Sequence, residues 1–250
     1  MRVGSLFSGI GGLDLGLERA GMTVAWQSEI NPFSARVLAH HWPDTPNLGD
    51  ITTIDWRTVE PVDIICGGFP CQDISQAGRQ AGITGSRSGL WTYFADAIRE
   101  LRPRFVLVEN VGDLVVRGLD VVLGDLHALG FDAEWAVVPA CSVGAPHMRR
   151  RLFIVAHANG GRRGGGEHDG QDGGSVLGEA LQRELRRGPG SQDWGPRPDR
   201  SSLRGVDDGL PDRVDRLRAL GNAVVPAAAE FIGRAIISTT PLHPQIKANE

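Results

Sequence analysis

The chain has 250 residues with 26 basic against 30 acidic side chains, a net charge of −4, so it is no polybasic coat and any nucleic-acid partner needs a local basic patch. Apolar residues make up 41% of it, enough for one large domain, or one domain carrying an insert. Cys66, Cys71 and Cys141 are too few and too scattered for a disulfide framework or a zinc cluster, no apolar run of roughly 18 residues predicts a membrane span, and a reducing cytoplasm is the expected compartment.

From residue 1 to 156, strand-like and helix-like segments alternate. Val3–Phe7 is a short apolar run, followed by the glycine turn Ser8-Gly9-Ile10-Gly11-Gly12. Leu13, Leu15, Leu17 and Ala20 then ride a helix closed by Gly21, a residue type favoured just past a helix end. Thr23–Trp26 predicts a second strand ending near Glu29. Asn31 before Pro32 predicts an N-cap and a helix through about His41. A short third strand is expected ahead of Gly49-Asp50-Ile51. Val62–Cys66 and Phe105–Val108 are near-continuous apolar runs, hence buried strands, with a helix from about Leu90 to Leu101 between them. Val115–Leu129 is helical up to Gly130, and Glu134–Val138 and Leu152–Ala156 are further strands. Such alternation predicts an α/β architecture, a mostly parallel sheet with helices on both faces.

The pattern stops at His157. Between His157 and Arg216, 14 of 60 residues are glycine, and 10 arginines stand against 11 acidic groups. Leu177, Leu181 and Leu185 have the spacing of one short amphipathic helix; the rest cannot bury enough to order itself alone. Apolar order returns over Leu217–Ile237, with a helix predicted for Ala223–Ile237 and Asn222 as its cap. The expected organisation is a split core, 1–156 with 217–238, around a mobile glycine- and arginine-rich insert at 157–216, with a tail at 239–250.

The glycine turn lies where a ligand approaches the backbone at the carboxyl edge of a sheet. Glu29, at the end of the next strand, is placed to accept hydrogen bonds from a ribose diol. Both features fit a nicotinamide dinucleotide, and a glycine turn with no ligand is the plain alternative. The G-x-G-x-x-G fingerprint is incomplete, because Asp14 stands where the third glycine belongs. Asp50 offers a carboxylate for an adenine amino group. Gly67-Gly68-Phe69-Pro70-Cys71-Gln72 follows a buried strand and so reaches the same edge; Pro70 stiffens the backbone that aims the Cys71 sulfur, while Cys66 reads as inert core. The following loop, Asp73–Gly89, has four glycines and two arginines, the composition of a mobile lid. Glu109-Asn110-Val111 ends the next strand. A carboxylate there is desolvated and its proton affinity rises, as a group that protonates a ring nitrogen near neutral pH requires. In Pro146-His147-Met148-Arg149-Arg150-Arg151, strand alternation sends Arg149 and Arg151 one way and Arg150 the other, although a charged run is usually a solvated face.

Taken in order, FSGIGG, the acidic Glu29, GDI, PCQ followed by Ser75, ENV, an arginine pair before a strand and GNAVVP resemble the cytosine-5 DNA methyltransferases that depend on S-adenosylmethionine. The likeness covers about 1–156 and 213–235. It implies a Rossmann-like methyltransferase fold. Phe7, Gly9, Gly11, Pro70 and Leu90 would contact the cofactor, Glu29 its ribose, Asp50 and Ile51 its adenine, while Asn222 and Val224 close the pocket. Cys71 would be the nucleophile and Glu109 its partner at the base. Arg149 and Arg151 match the paired arginines of the family's Q-x-R-x-R motif. Gln72, Ser75 and Arg87 fall on loop positions that close over DNA, and Arg162 and Arg163 in the insert can neutralise phosphates or reach guanine edges. The implied activity is methyl transfer to C5 of cytosine in duplex DNA, by a monomer, without a metal or a membrane, in a restriction-modification setting. The rivals are a catalytically decayed DNA-binding relative and methylation of cytosine in RNA. Three departures stand out: His147 replaces the motif's glutamine, Ile30 replaces an aromatic that stacks on adenine, and the insert is shorter than the usual recognition domain.

Overall fold

The computed structural model describes residues 1–70, 89–159, 178–179 and 213–239. Cys71, Gln72, Ser75, Arg87, Arg162 and Arg163, together with Leu177, Leu181, Leu185 and the tail, lie outside the described residues.

Six strands form one sheet in the order β2-β1-β3-β4-β6-β5: β1 (Arg2–Leu6), β2 (Thr23–Ser28), β3 (Ile64–Gly67), β4 (Phe105–Val111), β5 (Phe131–Pro139) and β6 (Arg150–Ala158). β1 pairs parallel with β2 and β3, and β3 with β4. β6 alone runs the other way, antiparallel to both β4 and β5. Parallel neighbours need crossovers that lay helices on the faces, and the inner strands are accordingly apolar on both sides: Ile64, Ile65 and Cys66 are fully buried. Helices α3 (Leu90–Leu101) and α5 (Leu119–Ala128) cover one face through Trp91, Phe94, Ile98, Val122 and Leu126. The other face is covered by α1 (Gly12–Arg19) and α7 (Pro226–Thr239), through Leu13, Leu17, Ile232 and Ile236.

Local chemistry explains the element ends. In α2 (Pro32–His41), Asn31 Oδ1 accepts from the N–H groups of Phe33 and Ser34, and Pro32 has no N–H to satisfy. α1 and α7 approach so closely that a Cβ on Gly12 would lie 2.6 Å from the Val224 carbonyl oxygen, and one on Gly16 2.4 Å from Ala229 Cβ. The glycines of the first helix are thus what admit the C-terminal return.

Asp14, which breaks the third-glycine pattern, is fully buried on α1. It accepts from Ser5 Oγ at 3.0 Å and Gln27 Nε2 at 2.8 Å, stitching α1 to β1 and β2. Burial outweighs those donors and pushes its carboxyl up to about 6. Burial, with Asp14 nearby, also pushes the Cys66 thiol up, in keeping with inert core.

Several boundaries depart from the sequence reading. The strand expected ahead of Gly49 is only a single parallel bridge between Gln27 and Asn47, because the neighbouring Pro46 has no N–H to extend a ladder. The helix expected over Val115–Leu129 is two, α4 (Leu114–Arg117) and α5, parted at Gly118, whose φ of 156° no helix holds. Asn222 does not cap the returning helix; it ends α6 (Arg213–Asn222). α7 starts instead at Pro226, which suits a first turn and keeps Val225 out of helical conformation. β4 and β6 outrun their apolar centres, so Glu109 and Asn110 lie within β4, and Arg150 and Arg151 within β6. Among the described residues one stretch, Val214–Thr239, has the length and mean hydropathy (1.3) of a membrane span. Its apolar side chains Ala228, Ala229, Ile232, Ala235 and Ile236 are committed to the core.

Candidate active site

The carboxyl ends of β1 to β4 open into one cleft of about 820 Å³. Phe7, Ser8, Gly9 and Ile10 form its floor after β1. Phe7 adopts a left-handed φ of 51°, unusual for a bulky side chain, and its ring stacks on Phe94 at 6.4 Å. Gly9, at φ 56°, follows without strain. Gly11 immediately precedes α1, and a Cβ on it would lie 2.4 Å from the Trp42 ring, so its lack of a side chain makes room for Trp42.

Glu29 at the end of β2 is engaged on both oxygens. Oε2 accepts from the Gly9 N–H and Oε1 from the Asn31 N–H, each at 2.7 Å. Asn47 brackets the Glu29 backbone, accepting from its N–H at 2.9 Å and donating to its carbonyl at 3.1 Å. Glu29 therefore ties the glycine loop to the start of α2, and each oxygen keeps a further lone pair. Asp50 receives the Thr52 N–H and hydroxyl on Oδ1, which leaves Oδ2 for a ligand. Asp50, Ile51 and the 67%-exposed Ile30 line this end of the cleft. The wall suits a ligand bearing a ribose diol and an exocyclic amine.

At the other end stand Gly68, Phe69 and Pro70 after β3, Leu90 at the start of α3, and Glu109 and Asn110 of β4. Asn110 Nδ2 donates to the Phe69 carbonyl at 3.0 Å, pinning the turn that carries Pro70. Gly68 is what admits Glu109, since a Cβ there would lie 2.7 Å from Glu109 Oε2. Arg151 Nε lies 2.9 Å from Glu109 Oε1, an ion pair in a buried setting. Burial pushes the Glu109 carboxyl up to about 7 against the pull of Arg151 and Arg149. Strand alternation holds here: Arg151 faces Glu109 and Arg150 is exposed. Arg149 is held elsewhere, its Nη2 donating to the carbonyls of Gly221 and Ala223, both at 2.7 Å.

Asn222, Ala223 and Val224 form the remaining wall, with Asp215 and Arg218 of α6 beside them. Sequence reasoning passed over Asp215 and Arg218, whose helix begins inside charge-rich sequence with no periodic signal. It also passed over the tie made by Asn110, for which its place directly after Glu109 was the available clue. Among the described residues, no group of three or more His, Cys, Asp or Glu side chains is placed to hold a metal ion.

Residues 1–168 match the family described as C-5 cytosine-specific DNA methylase. The chain is 37% identical over 164 residues to the type II methyltransferase M2.BsuMI of Bacillus subtilis, covering 62% of this chain and 42% of that protein. It is 32% identical over 163 residues to the type II methyltransferase M.HhaI of Haemophilus parahaemolyticus, covering 64% and 50%. The matched region thus spans about half the length of these relatives, or less. Among solved structures, a putative DNA modification methyltransferase encoded within an Escherichia coli prophage superposes with a TM-score of 0.61 at 18% identity, over 96% of this chain and 99% of that one. The Entamoeba histolytica methyltransferase EhMeth gives 0.60 at 14% identity, over 95% and 98%. Likeness at that identity shows a shared Rossmann-like methyltransferase fold.

Proposed function

The chain belongs to the C-5 cytosine-specific DNA methylase family, and from that premise we propose that it transfers a methyl group from S-adenosylmethionine to C5 of cytosine in duplex DNA. The observation that carries the reading is Glu109: a buried carboxyl paired with Arg151, its proton affinity raised by burial, at the sheet edge where Pro70 leads into Cys71.

C5 of cytosine is too weak a nucleophile to accept a methyl group directly. The Cys71 thiolate adds to C6 while Glu109 gives a proton to N3, which breaks aromaticity and makes C5 enamine-like. A carboxyl with a pKa near 7 is partly protonated at neutral pH and suited to that transfer. Arg151 stabilises negative charge as it develops on the ring. After C5 has taken the methyl group, its proton leaves, the C6–sulfur bond breaks, and N3 returns its proton to Glu109. Bound S-adenosylmethionine supplies the methyl as an electrophile on a sulfonium. The chain's part is to hold it: Glu29 with its spare lone pairs toward the ribose, Asp50 and Ile51 toward the adenine, Phe7, Gly9, Pro70 and Leu90 along the cleft, and Asn222 and Val224 as the closing wall. The further lone pairs on the Glu29 oxygens and on Asp50 Oδ2 support this fit.

Stacked cytosine hides C6, so the base must be flipped out, with Gln72, Ser75 and Arg87 closing over the DNA. Sequence recognition falls to residues 157–216, where Arg162 and Arg163 meet phosphates or guanine edges. The enzyme acts as a cytoplasmic monomer. The deciding experiment is transfer of labelled methyl groups to unmodified duplex DNA and to RNA of the same sequence, with the product sequenced. Label in 5-methylcytosine of DNA is expected; label in RNA alone, or in neither, would overturn the reading.

Two further outcomes follow from these assignments. Glu29→Ala removes both a ribose acceptor and the tie between Gly9 and Asn31. Affinity for S-adenosylhomocysteine should fall about ten- to a hundred-fold by calorimetry, with duplex binding little changed. Unchanged affinity would leave Glu29 as a loop tie and nothing more. Replacing residues 160–190 by a short Gly/Ser linker should preserve cofactor binding while methylation slows or loses its sequence preference. The same sites methylated at the same rate would move recognition to the loop at 73–89 or to the stretch around 194–215.

A further inference from the structure

We propose that Arg149 is a positioning residue, clamping the C-terminal wall of the methyl-donor cleft onto the strand that carries Arg151, rather than a group that acts on the base. The inference rests on reading the cleft as the donor site. Arg149 lies two residues before Arg151 and on the same side by alternation, which would send both toward Glu109. The structure gives them different partners, although both act on the Glu109 charge. Arg151 pairs with Glu109, whereas the Arg149 Nη2 bridges the carbonyls of Gly221 and Ala223 at 2.7 Å each.

Those carbonyls lie at the end of α6, where the last turn leaves C=O groups without intrahelical donors, and a cation there is favoured by the helix dipole. They also flank Asn222 and lead into Val224. Asn222, Ala223 and Val224 all line the cleft, and the Val224 carbonyl oxygen sits against Gly12 at the foot of the glycine turn. One guanidinium therefore fixes the wall that faces the donor.

Apolar packing reaches this wall through the half-buried Val224 and Val225, but not the helix before it. Val214, Leu217 and Leu220 of α6 are 62–70% exposed, so this helix is not held by a buried stripe. On its N-terminal side α6 follows a long insert, a tether that restrains it only weakly, while on its C-terminal side three residues join it to α7 and the core. Arg149 Nε is buried without an acceptor, so the bridge to the two carbonyls is the directed contact that orients the side chain. Losing a charge-assisted pair of this kind should loosen the wall without removing the chemistry on the other side of the cleft.

The test compares Arg149→Ala and Arg149→Lys with the unaltered protein. For Arg149→Ala, the Kd for S-adenosylhomocysteine and the KM for S-adenosylmethionine should both rise about ten-fold or more, while kcat at saturating donor stays within about three-fold. Backbone amides at 221–226 should exchange hydrogen faster, and those of β3 and β4 should not. Arg149→Lys, whose ammonium can still donate to both carbonyls, should recover most of the donor affinity. Unchanged donor affinity and unchanged exchange, with kcat down a hundred-fold, would show that Arg149 works on the base and would overturn the proposal. Should Arg149→Ala fail to fold, Arg149→Lys and Arg149→Gln decide it: equal donor affinity in the charged and neutral variants would also overturn it. If the unaltered protein binds no S-adenosylhomocysteine, the donor-site reading fails, while the exchange comparison still judges the clamp.

Discussion

Replacing Cys71 by alanine is expected to abolish methyl transfer, by at least about 10⁴-fold, while S-adenosylhomocysteine still binds. Without a thiolate at C6 the ring stays aromatic, and no amount of positioning makes C5 nucleophilic. Duplex DNA carrying 5-fluorocytosine gives the same assignment a covalent readout. Fluorine at C5 leaves no proton to lose, so elimination stalls and enzyme and DNA stay joined, visible as a shifted band in a denaturing gel. Cys71→Ala should show none. Cys66 is no competitor, being fully buried with its thiol pushed up by desolvation. Cys141 is exposed and so is the relevant control. Trapping that persists in Cys71→Ala, or moves to Cys141, would end the assignment.

Glu109→Gln should lower kcat by about 10²- to 10⁴-fold, the usual contribution of a positioned general acid. Glutamine keeps the shape but has no proton to give N3. On the proposed mechanism the protonated carboxyl is the working form, so its contribution to rate should fall as pH rises through about 7. Glu109→Gln should lack that descending limb. Stability carries the same sign. The folded-state pKa lies above the ordinary 4.5, so the native protein holds this proton more tightly than the unfolded chain does. The stabilisation is complete below pH 4.5 and is lost as pH rises through 7. Denaturant melts of Glu109→Gln should therefore show a flatter profile across that window. An unchanged descending limb in the rate profile would show that the titrating group is another residue.

What the sequence made legible was mostly local. Asn31-Pro32 states its own helix start, and Leu90–Leu101 shows its apolar stripe, because both signals lie within a few residues of where they act. Meeting of Glu29, Pro70 and Glu109 at one edge was also legible, since parallel strands send their carboxyl ends the same way. The direction of β6 was not. An apolar run carries no mark of polarity, and only its pairing with β4 and β5 reverses it. The partners of Arg149 and Asn110 were not legible for a related reason: they are 72, 74 and 41 residues away in the chain. Asp14 looked like a defect in a fingerprint and is a buried tie between α1 and two strands. Gly11 was legible as part of a glycine loop, but the room it makes for Trp42 was not.

The docking of α7 onto α1 also sets the order in which the protein can be completed on the ribosome. α1 and the sheet are finished with β6, but the helix that covers Leu13, Leu17 and Phe153 begins about 70 residues later. At ordinary elongation rates that interval lasts roughly 3–14 s. Through it the nascent sheet has one face clothed by α3 and α5, while the other shows its leucines to water. Slower translation, across the insert or while α7 is still inside the ribosome, lengthens the time for which that face lacks its cover.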